Sequence, residues 1–123
     1  MTPLQAAQYS PLTLAYLGDG VYELLVREML VKKGNMPNGR LHAEATHYVS
    51  AKGQSEGFLK IEPFLTEDEL HIFRRGRNAD STPNKNNDIE EYKRATGLEA
   101  LFGYLYLSEN TERIKELFGK IVA

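Results

Sequence analysis

The chain has 123 residues, 41% hydrophobic and 26% charged, with a formal net charge of −2 and no cysteine. That length suits one hydrophobic core, so a single unit over residues 1–123 is expected, and the missing cysteines exclude both a disulfide framework and a thiolate metal centre. Asp19, Glu23, Arg27 and Glu28 interrupt the longest apolar stretch short of the roughly 20 residues of a membrane span, and the near-neutral charge does not mark a nucleic-acid binder, although it leaves room for a local basic patch.

The opening MTPLQAAQYS reads as a loose lead-in that packs through Leu4 and Tyr9. It lacks a basic segment followed by an apolar one, the pattern of a secretory signal, so a cytoplasmic location is expected. Ser10 and Pro11 then read as the N-cap and first position of a helix, with Gly34 as its stop. Between them apolar residues occupy nearly every side, which predicts a helix in the middle of the core. Asp19 is out of place there. At helical spacing it shares a stripe with Leu12, Ala15, Tyr16, Tyr22, Glu23 and Val26. A buried carboxylate needs a hydrogen-bonding partner, a proton or a metal. The flanking Gly18 and Gly20 each cost about 1 kcal/mol relative to alanine in a helix interior, so they predict close approach by another backbone or a ligand. A bond from Asp19 to a helix end or an arginine would satisfy the same pattern.

Residues 35–39, NMPNG, form a turn by composition. A second helical pattern starts near Arg40 and carries Leu41, Ala45, Tyr48 or Val49, and Phe58-Leu59 on its apolar side. His42 and His47 are five apart, a poor spacing for two ligands on one helix face, and are expected at the surface or an edge. After Pro63, Thr66 and Glu69 form a capping box that opens a short helix with Leu70, Ile72 and Phe73 facing in. It runs into Arg74, Arg75, Gly76, Arg77 and Asn78. Three arginines in four positions suit bidentate phosphate binding; a solvated basic helix end is the alternative. Residues 80–88 are a polar loop containing Lys85. Asp88 caps a helix reaching about Leu107, in which Glu99 shares a stripe with Tyr92, Ala95, Thr96, Phe102, Gly103 and Tyr106. Residues 111–122 close the chain as an amphipathic helix facing in through Ile114, Leu117, Phe118 and Ile121. About five helices and no convincing strand predict an all-α fold.

If the faces bearing Asp19 and Glu99 meet, two carboxylates repel unless they share a proton or a divalent cation. Oxygen-only ligation points to Mg2+, or Mn2+ in its place, rather than zinc. Beside a cationic strip of Arg74, Arg75, Arg77 and Asn78, with Lys85, such a site suits phosphodiester hydrolysis.

The residues also carry a family resemblance. Leu14 to Val21, LAYLGDGV, resembles the acidic signature of the ribonuclease III family, and Glu99 to Gly103, EALFG, resembles its second acidic helix. Together with VSAKGQSE, RRGRNA and TPNKNND, the chain resembles the Mini-ribonuclease III branch, which has no separate double-stranded-RNA-binding domain. The resemblance implies an all-helical, homodimeric, magnesium-dependent endoribonuclease for double-stranded RNA, with Asp19 and Glu99 as the metal-binding catalytic acids. It also implies a role in maturing the large-subunit ribosomal RNA precursor, in which a ribosomal protein could assist. Two further acids of full-length ribonuclease III fall at Ala15 and Thr96, and Glu23 lies one turn from Asp19. The competing expectation is a non-catalytic RNA-binding or assembly dimer on the same fold.

Overall fold

The computed structural model describes residues 1–80 and 88–123, and the chain is all-α, with no strand among the described residues. The α-helices are α1 (Pro3–Ala7), α2 (Pro11–Lys33), α3 (Asn38–Val49), α4 (Ala51–Ile61), α5 (Glu67–Arg77), α6 (Ile89–Leu107) and α7 (Thr111–Val122). A 3-10 turn, Glu62–Phe64, links α4 to α5. None of the described helices is long and apolar enough to cross a membrane.

Capping chemistry sets most of the boundaries. Ser10 accepts a hydrogen bond from the Thr13 amide at 3.3 Å with Pro11 at the first position. Asp88 accepts from Glu91 at 3.1 Å, and Thr66 and Glu69 form the reciprocal capping box. Gly34 ends α2 at φ +150°, a backbone conformation that glycine alone adopts freely.

The centre of the fold is the crossing of α2 and α6. Two glycines make it. A Cβ on Gly18 would collide with the Glu99 carbonyl, and one on Gly103 would collide with the Leu14 carbonyl. The close approach expected at Gly18 is therefore with α6 of the same chain. Around this crossing, Tyr22 sits edge-on to Phe102 and Phe118, with ring centroids 5.5 and 5.7 Å away. Phe58 of α4 stacks on Phe73 of α5 at 3.7 Å, and Phe73 in turn fills the space left by Gly97 of α6. All four apolar residues expected to face in from α7 are buried. Arg113 ties that helix to α5, donating to both oxygens of buried Glu69 at 2.8 Å and to the Phe64 carbonyl at 2.8 Å.

Three expectations change. The lead-in contains a capped helix, α1, whose Thr2 and Gln5 form their own capping box and whose Ala6 is fully buried. The second helical pattern is two helices: Ser50 ends α3 and caps α4, accepting from the Gly53 amide at 3.1 Å. A side chain on Gly53 would meet the His47 carbonyl, so this bend requires glycine. Finally, α2 is not surrounded by its own chain. Leu14, Ala15, Gly18, Tyr22, Val26 and Leu30 are buried, but Tyr16 is 85% exposed and Leu24 68%.

Candidate active site

Asp19 and Glu99 do converge. Gly18 and Gly103 bring the two backbones together at the positions that point these side chains at one another, and the carboxyl groups are in hydrogen-bonding contact. Asp19 is exposed and Glu99 half-buried, so the acids form the floor and rim of an open site, not the sealed pair expected from an all-apolar helix. Burial is the main force raising the Glu99 carboxyl to about 8, followed by the Asp19 charge and the hydrogen bond with Asp19; the Gln54 side chain pulls the other way. Desolvation and a like charge both favour the neutral form, so Glu99 holds a proton at neutral pH that a divalent cation would displace.

The surrounding residues fit a sparse oxygen site. Ala15 and Thr96 are buried, and Thr96 spends its hydroxyl on the Tyr92 carbonyl at 3.0 Å. Glu23 is paired with Arg27 at 3.2 Å. No cluster of three or more acids, histidines or cysteines occurs among the described residues. Two carboxylates that repel, one of them exposed, match the way Mg2+ binds through one or two protein acids with water and phosphate completing its shell. His42 and His47 are exposed on α3, as expected. A cleft of about 160 Å³ between α2 and α3, lined by Arg27, Leu30, Leu41 and His42 among others, includes neither acid.

The arginine strip divides. Arg75 turns back to the N-terminal segment, donating to the Ala7 and Tyr9 carbonyls at 2.7 Å each. It clamps the end of α1, and the expected RNA contact from Arg75 is corrected to a structural role. Arg74 is exposed, Arg77 lies 5.7 Å from the Phe73 ring centre and donates to Asn78 Oδ1, and Asn78 caps the end of α5. Gly76 serves helix packing rather than a phosphate, since its missing side chain admits Gly97 and Ala100 of α6. That contact sets the end of α5 within one turn of Glu99 along α6. Lys85 lies outside the described residues.

Sequence reasoning passed over three polar residues of α4 and α6. Gln54 and Ser55 are each 2% exposed, and Arg94 Nη1 donates to Ser55 Oγ at 2.7 Å. The signal was the QS pair inside VSAKGQSE, polar where the period calls for apolar residues.

Residues 12–110 match the model of the ribonuclease III domain. The chain is 50% identical over 115 residues to the Mini-ribonuclease 3 of Brevibacillus brevis, covering 93% of this chain and 86% of that protein. To the Mini-ribonuclease 3 of Enterococcus faecalis it is 47% identical over 116 residues, covering 91% and 87%. The crystal structure of a Fusobacterium nucleatum protein superposes with a TM-score of 0.85 at 35% identity, over 94% of this chain and 93% of that one. A helical frame with two converging acids, matched over nearly its whole length by such relatives, identifies the chain as an endoribonuclease of the ribonuclease III family, in its Mini-ribonuclease 3 branch.

Proposed function

We propose that residues 1–123 form one catalytic domain that cuts double-stranded RNA with Mg2+, as a homodimer in the cytoplasm, on the large-subunit ribosomal RNA precursor. The observation that carries the metal assignment is the contact between Asp19 and Glu99 at the α2–α6 crossing. A bound divalent cation supplies a Lewis acid for the phosphate and a water of lowered pKa. Asp19, exposed at the rim, presents its carboxylate on the side from which RNA arrives. Glu99, recessed on the buried face of α6, gives up its carboxyl proton to solvent as the site is loaded, so metal affinity rises with pH towards about 8. Arg74, Arg77 and Asn78 at the end of α5 grip the phosphate backbone without reading sequence, and Lys85 extends the same cationic edge.

The dimer reading rests on the uncovered side of α2. Leu12, Tyr16, Gly20 and Leu24 follow at steps of four, and a Cβ on Gly20 would have nothing within 4 Å. An exposed apolar stripe of this kind suits self-complementary two-fold packing. Doubling the subunit doubles the modest basic surface and offers one acid pair to each RNA strand.

The deciding experiment incubates a long RNA duplex with wild type, Asp19→Asn and Glu99→Gln, each with and without magnesium. Shortened products are expected from wild type with magnesium alone. Normal turnover by either folded variant would overturn the assignment of the acids.

A further inference from the structure

We infer that Gln54 is a positioning residue for Glu99: its buried amide holds the carboxylate in the orientation that faces Asp19. The inference rests on the metal-site reading above and goes beyond it to a residue on a third helix.

Gln54 is 2% exposed, yet its Nε2 completes no hydrogen bond among the described residues. A buried donor without a partner costs about 1–3 kcal/mol, and an apolar residue here would extend the core that Phe58 and Ile61 already build from the same helix. Something other than packing therefore explains an amide at this position. Its surroundings supply the reason. The next residue, Ser55, is equally buried and accepts the 2.7 Å bond from Arg94, which pins α4 to α6 beside Gln54. The Gln54 side chain then lies against Glu99, where it stabilises the charged carboxylate while Asp19 opposes it. The choice of an amide also follows from charge. A lysine or arginine would pair with Glu99 and compete with a cation for it, and a third acid would add repulsion. A glutamine orients one carboxylate oxygen and leaves the negative charge for the metal. Partners of this kind behind a metal ligand typically hold its geometry.

The test uses the full chain, with magnesium alone as the probe. Gln54→Met keeps the length of the side chain and removes both donors. Its melting temperature is expected to match or exceed wild type, because an unpartnered polar group has gone. Its magnesium affinity by calorimetry is expected to fall about tenfold to a hundredfold. In cleavage assays the magnesium concentration for half-maximal rate should rise in step, with the rate recovering at saturating metal. Lower stability with unchanged affinity would show a structural glutamine and overturn the inference. Glu99→Gln is measured alongside. If it too binds magnesium like wild type, the metal reading itself fails; if it has lost binding while Gln54→Met has not, only the role of Gln54 fails. Should Gln54→Met not fold, Gln54→Glu decides. Its added carboxylate should repel Glu99, so magnesium should raise its melting temperature more than that of wild type, and an equal rise overturns the proposal.

Discussion

Gly18 and Gly20 stand two residues apart on α2, on either side of Asp19, and face opposite environments. Gly18 is buried against the backbone of α6, where no side chain fits. Gly20 is exposed, with open space where its side chain would be. Both carry the same intrinsic cost to a helix, so the same residue answers two different demands. On the inner side, glycine closes the distance between the two acid-bearing helices. On the outer side, glycine has no use within one chain, and a second copy gives it one.

The largest test of that contrast is Gly18→Ala. One methyl group must part α2 from α6, and a loss of about 3 kcal/mol or more is expected in urea unfolding. Wild-type stability would mean that the crossing is not held by backbone contact.

Next come the arginines, which probe the two ends of α5 in the same way. Arg75→Ala should lower stability by about 1.5–3 kcal/mol, since a charged group loses two carbonyl partners, without changing the salt dependence of RNA binding. Replacing Arg74 and Arg77 together should do the reverse. Duplex affinity should fall, and its dependence on salt should flatten by about two phosphate contacts. A double variant with the wild-type salt slope would remove these two residues from the RNA surface.

The Glu99 proton provides a pH test. A carboxyl raised in the folded chain contributes stability that is complete below its unfolded value and is lost as pH rises through about 8. In magnesium-free buffer, Glu99→Gln should therefore gain a few degrees of melting temperature over wild type, and the gain should widen from about pH 5 to about pH 8. Glu69 has the opposite sign. Burial pushes its carboxyl up, but bonds from Arg113 and the Thr66 amide hold it below its usual value, so its contribution is lost only as pH falls into the acid range. A gain that stays flat with pH would mean that Glu99 keeps an ordinary carboxylate.

Gly20→Ala is the subtlest variant. It should raise the intrinsic stability of α2 by up to about 1 kcal/mol while weakening association measured by sedimentation. A dimer as tight as wild type would place the interface on another face.

Local signals were legible in the sequence and distant ones were not. The caps at Ser10, Thr66 and Asp88 involve side chains three residues from their partners, so the pattern alone located them. Asp19 and Glu99 stood out because each interrupts an apolar stripe, and the prediction that they meet holds. What the stripe could not tell was depth: Asp19 was expected buried and lies at the surface, because the outer side of α2 has no cover from its own chain. Arg75 was read with its neighbours as a phosphate ligand. Its partners, the carbonyls of Ala7 and Tyr9, lie far away in the sequence and carry no side-chain signature. Gln54 was hidden for a related reason, since an amide inside a helix looks like a surface residue until the neighbouring helix is in place.

The α2–α6 crossing also bears on how the chain acquires activity. Leu14 meets Gly103, and Gly18 meets Glu99, across most of the length of the polypeptide. Contacts so distant form only after the intervening loop has closed, and such topologies fold more slowly than those built from neighbours. Either helix can be spun in isolation without its acid finding the other. The nuclease centre is therefore among the last parts of the molecule to exist, and a nascent chain that has not yet delivered α6 passes through synthesis with no capacity to cut the RNA around it.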